Sequence, residues 1–265
     1  MKPQTLTLFT WGYWGWGTAT EQFVGAADAV EKSRGFGPPQ FVDIRISRSV
    51  RAPGFNGPTF ERTLGKSRYK WMPSLGNVAI LQGGRLQIKN PAAAADLLDL
   101  AEEQHRERRR VLFFCSCEFP GRENRGGCHR TTVARLVLEA AARRNLKLQI
   151  VEWPGGEPLD DLKITVSADA FSRLKRGAKS ILLTEPVSLA NVAGIPWYST
   201  AEIQPSGMTN AGRDVLTGPA KYDRKSGWWV PRLDDIDLSL PLEARRQRIQ
   251  KLRKEGGFDL LRTRS

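Results

Sequence analysis

All three cysteines of the chain, Cys115, Cys117 and Cys128, fall close together, and His129, one of two histidines, follows directly. The stretch reads Val111-Leu-Phe-Phe-Cys115-Ser-Cys117-Glu118, then a Gly/Arg-rich loop, then Cys128-His129-Arg130-Thr131-Thr132. A thiol at a helix N-terminus beside an arginine has a depressed pKa and acts as a thiolate. Arg130 and the free helix amides would clamp a phosphate there. Cys117 and Cys128, two thiols flanking a short loop, suit a reversible disulfide. Cys115 reads instead as a small buried strand residue. Metal ligation is the remaining chemistry of Cys115, Cys117, Cys128 and His129. Structural zinc usually takes two C-x₂₋₄-C knuckles. Here one pair is C-x-C in a strand and the other an adjacent Cys-His, whose side chains diverge by about 100° on a helix. No metal and no cofactor are therefore expected.

The acid/base candidates are Asp43 and Glu118, each at or near the end of an expected strand. Among Arg45, Arg48 and Arg130 such carboxylates suit hydrolysis of a phosphodiester or a glycosidic bond. The plainer reading is an internal salt-bridge network that holds the strand ends together. Thr10-Trp11-Gly12-Tyr13-Trp14-Gly15-Trp16-Gly17 threads aromatics with glycines after the first strand. The spacing is not G-x-G-x-x-G, and no P-loop lysine follows, so a dinucleotide or ATP site is unsupported. Aromatics on a loop suit base stacking, as a flipped base requires, or else plug the edge of a core. Asp43, Glu118, Cys128 and His129 are thus the candidate catalytic residues. Arg45, Arg48, Arg130, Trp11, Tyr13 and Trp14 are the candidate substrate-binding residues.

These residues must be placed by regular elements. Thr5 to Thr10, Gln40 to Ile46, the run ending at Cys115 and Leu146 to Trp153 read as strands. Glu21 to Ser33 and Asn90 to Arg108 read as helices, the second with Asn90 as N-cap and Pro91 at the first helical position. After Arg130, Val133, Leu136, Val137, Ala140 and Ala141 recur at helical spacing. Repeated β-α-β units predict an α/β fold, a three-layer parallel-sheet domain over residues 1–155. The Gly/Pro-punctuated segment from Arg48 to Gly84, with a short helix after Pro58, is expected to cover the sheet's functional edge. Pro154-Gly-Gly-Glu-Pro158 marks the boundary to a smaller basic α+β domain over 160–265. There Leu162 to Val166 and Ser180 to Leu183 read as strands, and Ala168 to Lys175 and Leu242 to Lys254 as helices.

At 265 residues, with 26% charged and 40% apolar, the composition is that of a globular protein. No apolar run approaches the roughly 20 residues that span a bilayer, so no membrane partner is expected. The N-terminus lacks a signal peptide's apolar block. Three cysteines make no secreted disulfide framework, so a cytoplasmic location is expected. The net charge of +13 divides into excesses of seven up to Asp160 and six beyond it. A surplus spread over both halves points to a nucleic-acid partner, DNA ahead of RNA.

Taken in order, the motifs are the Trp11-Gly12-Tyr13 turn, Val42-Asp43-Ile44-Arg45 with Arg48, Leu75-Gly76-Asn77, Cys117-Glu118 and Cys128-His129-Arg130. This set resembles the domain-of-unknown-function family 488, found in bacteria and archaea, over about residues 5 to 155. The resemblance implies an α/β three-layer fold and brings no settled activity. Phe171-Ser-Arg-Leu-Lys-Arg-Gly-Ala-Lys179 is faintly similar to the start of small ASCH/PUA-like RNA-binding modules. The leading expectation is a nucleic-acid-acting hydrolase, cleaving a glycosidic bond to a base or a phosphodiester, with the basic C-terminal domain gripping substrate. A thiol-based redox or transfer enzyme using Cys128 and Cys117 is the second, and a non-catalytic nucleic-acid-binding protein the third.

Overall fold

The computed structural model describes residues 5–120, 128–160, 162–183, 188–207, 212–255 and 261–262. Its first unit is built on strands β1 (Leu6–Gly12), β2 (Gln40–Asp43), β3 (Tyr69–Trp71), β4 (Val111–Cys115) and β5 (Leu148–Glu152). They pair in parallel in the order β5-β1-β4-β2-β3. The helices are α1 (Thr20–Ser33), α2 (Gly57–Leu64), α3 (Ala79–Gln82), α4 (Ala94–Arg106) and α5 (His129–Arg143). All five residues of β4 are buried, as a strand covered on both faces requires. Side chains alternate across the sheet. Leu8, Val42, Phe113 and Ile150 pack against α4 and α5, and Phe9, Phe41, Phe114 and Val151 against α1 and α2. Phe23, Ala27 and Val30 supply the inner stripe of α1, and Val133, Val137 and Ala141 that of α5. The expected three-layer α/β arrangement is the one observed.

Local signals worked where they had a physical basis. The Asn90 side chain accepts from Ala92 N at 3.1 Å, with Pro91 opening a short 3-10 turn that runs into α4. Strand β3 went unread because it has three residues, of which only Tyr69 is buried. Such a strand has too little periodicity to announce itself.

The order of the strands creates the crevice. β1 and β4 are neighbours, with Gly12 opposite Cys115 at their carboxyl ends. From there α1 leaves toward one face of the sheet and α5 toward the other. Neighbouring strands whose following helices part in this way leave an open space between them, the usual ligand position of α/β sheets.

The second unit comprises β6 (Leu162–Val166), α6 (Ala168–Lys175), β7 (Ser180–Leu182), α7 (Leu189–Ala193), β8 (Ser199–Pro205), β9 (Arg213–Thr217), β10 (Lys221–Asp223) and β11 (Gly227–Asp235). It forms a curled mixed sheet ordered β10-β11-β9-β8-β6, with β7 added on β11. Val166, Phe171, Leu174, Ile181, Ile203 and Val215 make its core. A basic helix, α8 (Leu242–Glu255), follows, and β12 (Leu261–Arg262) then returns to pair antiparallel with β5. Ala193 and Trp228 also pack against the aromatic core of the first unit, so the two sheets are joined at several points. Among the described residues no helix is long and apolar enough to cross a membrane.

Candidate active site

Cys128 lies at the mouth of the crevice as the N-cap of α5, its Sγ accepting from Arg130 N at 3.4 Å. At the end of β4, Cys115 Sγ accepts from Cys117 N at 3.3 Å. Cys115 and Cys128 Sγ are 3.1 Å apart, and all three cysteine sulfurs lie within 4.8 Å of one another. The sequence spacing set the C-x-C pair against an adjacent, diverging Cys-His pair; the structure brings three of those four residues together. β4 ends at Cys115, and the chain turns just past it so that Cys117 N meets Cys115 Sγ. Cys128 precedes the helix with extended backbone, and so does not diverge as a helical residue would. His129, the first helical residue, does diverge, and its Nε2 lies 3.3 Å from the Ile44 carbonyl oxygen. Hydrogen bonds from the Cys115 and Cys117 thiols, aided by His129 and the Arg130 charge, hold the Cys128 thiol well below its ordinary range. Burial pushes the Cys115 thiol up. The Gly/Arg-rich loop at 121–127 lies outside the described residues.

Behind the thiols, Arg130 is fully buried. Its Nη1 donates to both Glu152 carboxylate oxygens at 2.7 and 2.9 Å, and its Nη2 to the Cys117 carbonyl at 3.1 Å. The Thr10 hydroxyl donates to the same carboxylate. Burial pushes the Glu152 carboxyl up, against the pull of the Arg130 charge. Arg130 Nε is buried and finds no hydrogen-bond acceptor among the described residues. Gly12 permits this packing, since a Cβ there would lie 1.5 Å from the Cys117 carbonyl oxygen and 3.1 Å from Arg130 Nη2. Expected as a phosphate clamp, Arg130 here holds Glu152 and the Cys117 carbonyl.

Asp43 and Arg45 come together on the opposite face of the sheet. Asp43, with none of its surface exposed, accepts from Arg45 N at 3.1 Å, Nε at 2.7 Å and Nη2 at 2.5 Å, and from the Tyr69 hydroxyl at 2.8 Å. Arg45 also donates to the Tyr13 hydroxyl and the Phe55 carbonyl. Burial, and then the Asp43 charge, raise the Tyr69 hydroxyl above its ordinary value. Tyr13 stacks on Phe55 at 4.8 Å and Trp11 on Phe23 at 3.6 Å, both inside the core. Arg48 pairs with Glu61 at 3.1 Å and lies over the Trp71 ring at 4.7 Å.

The Glu118 side chain stands apart from both networks, although its carbonyl accepts from Arg130 Nη2 at 3.5 Å. Its side chain is 36% exposed, and Lys221 of the second unit donates to it at 2.8 Å. The same ammonium donates to the Trp14 carbonyl at 3.2 Å and lies 5.8 Å from the Trp229 ring centroid. Trp14 itself is 64% exposed. Glu118, Glu152, Gly12, Trp11 and Lys221 line a crevice of about 20 Å³, room for about one water. A wider cavity of about 330 Å³ is lined by Gly15, Arg173, Ser180, Asp223, Ser226 and Trp229.

Sequence reasoning missed Glu152, Thr10 and the partnership of Cys115 with Cys128. Glu152 ends β5 as Asp43 ends β2, and both lay near the ends of expected strands, so the same signal was present. No family model, no curated protein and no solved structure matches this chain.

Proposed function

We propose that this protein is a nucleic-acid-acting hydrolase whose acting carboxylate is Glu118, working on a glycosidic bond to a base or on a phosphodiester. The observation that carries the reading is the difference among three carboxylates. Asp43 is sealed in the core, and the Glu152 side chain is 4% exposed and held by Arg130, whereas Glu118 meets solvent beside a water-sized crevice. A carboxylate so placed can orient water toward a bound substrate. Lys221, which donates to it at 2.8 Å, carries positive charge to the same spot. Trp229, which lines the 330 Å³ cavity near Lys221, and the exposed Trp14 suit base stacking. The +13 charge supplies the attraction for a polyanion. The five ordered motifs remain our ground for proposing kinship of the first unit with the unknown-function family 488.

The test uses the full chain with oligonucleotides carrying normal and modified bases, assayed for abasic sites and strand breaks. Binding should weaken steeply as salt rises. Glu118→Gln should cut turnover by about 100-fold or more, within the usual reach of general acid–base catalysis, while leaving affinity unchanged. No retention of DNA or RNA at low salt would overturn the reading, as would full turnover by Glu118→Gln.

A further inference from the structure

We propose that Cys115, Cys117 and Cys128 form a binding site for a thiophilic divalent ion of the zinc class, with three thiolate ligands and a fourth position open. Zinc–sulfur bonds of about 2.3 Å in tetrahedral geometry place the sulfurs about 3.8 Å apart. Cys115 and Cys128 Sγ are 3.1 Å apart and all three sulfurs lie within 4.8 Å of one another, a range that includes that value. Small shifts would make the three sulfurs equidistant from one ion.

The surroundings are those of ligands rather than of packed thiols. Two sulfurs each accept a backbone N–H from two residues further on, Cys115 from Cys117 and Cys128 from Arg130. Such donors orient a metal-bound thiolate and steady its charge. Metal-bound cysteines are deprotonated, so the cluster needs positive charge. The neighbouring cation, Arg130, is already matched by Glu152 at 2.7 Å. A dication would offset the remaining negative charge, which burial otherwise makes costly. Cys117 is exposed while Cys115 and Cys128 are buried, giving the ion a way in and leaving its open side toward solvent. Among the described residues, the ligand group consists of these three cysteines. This inference stands independently of the hydrolase reading, because it concerns what the sulfurs hold.

The experiment takes the full chain, tag removed, purified reduced and without chelator, and measures zinc per protein by elemental mass spectrometry. About one ion per chain is expected, falling to none in Cys117→Ser and Cys128→Ser. Cys117 is the exposed ligand, so its variant should keep the fold, which circular dichroism checks. Cobalt(II) exchanged into the wild type should give a thiolate-to-metal charge-transfer band that weakens in Cys117→Ser. Glu118→Gln should keep the full metal content, which separates loss of turnover from loss of the ion. The proposal is overturned if reduced protein takes up no ion from added zinc while all three thiols alkylate freely. It is equally overturned if both serine variants retain one ion per chain, or if the reduced preparation holds a Cys115–Cys128 disulfide in place of metal.

Discussion

Asp43–Arg45 and Glu152–Arg130 are both buried ion pairs at the carboxyl edge of one parallel sheet, the first on the face of α1 and α2, the second on that of α4 and α5. Asp43 accepts hydrogen bonds from Arg45 and Tyr69 and is walled in by aromatic rings, so its network is closed on itself. The Arg130 pair borders three sulfurs and a water-sized crevice, and keeps one buried N–H without an acceptor. Two pairs of the same chemistry thus have different roles, decided by what lies next to them. A pair sealed by rings fixes the strand ends. A pair bordering thiols and solvent braces a site.

Three substitutions sharpen this contrast. Asp43→Ala leaves the buried Arg45 charge without its partner and should cost about 3–5 kcal/mol of stability, read as a lower urea midpoint. In the protein that remains folded, the reactivity of the three thiols should be unchanged. A large change in thiol reactivity would mean that the two faces are coupled. Gly12→Ala forces a methyl onto the Cys117 carbonyl and should cost about 1–3 kcal/mol, as overpacking does. Unlike Asp43→Ala, it should also disturb the thiols, and alkylation rates identical to wild type would refute the close packing at Gly12. Glu118→Gln removes the charge of a carboxylate 36% exposed while keeping an acceptor for the buried Lys221, and should change stability by less than about 1 kcal/mol. A much larger drop in melting temperature would make Glu118–Lys221 a structural clasp between the units rather than part of a site.

The fold was largely legible because its signals are strong: the apolar run Val111–Phe114, the helical stripe after Arg130, and the Asn90-Pro91 start. The site was legible in part. Strand ends and a helix start marked the correct edge, yet sequence periodicity does not say which strands are neighbours. Asp43 and Arg130 therefore looked like members of one crevice, although they flank different faces. Sequence spacing also does not say how the chain turns just past an element's end, and there it brings Cys117 and Cys128 to Cys115. The aromatic turn divided as its alternatives allowed, with Trp11 and Tyr13 buried in the core and Trp14 exposed.

Two exposed tryptophans mark the two ends of the comparison: Trp14 beside Glu118 and Lys221, and Trp71, 38% exposed, beside Arg48 on the Asp43 side. Hydroxyl-radical oxidation of both rings, with and without a saturating oligonucleotide at low salt, tests directly whether and where nucleic acid engages the sheet edge. Our account predicts strong protection of Trp14 with Trp71 oxidised as before. Protection of Trp71 alone, or of neither ring while the oligonucleotide is bound, would contradict it.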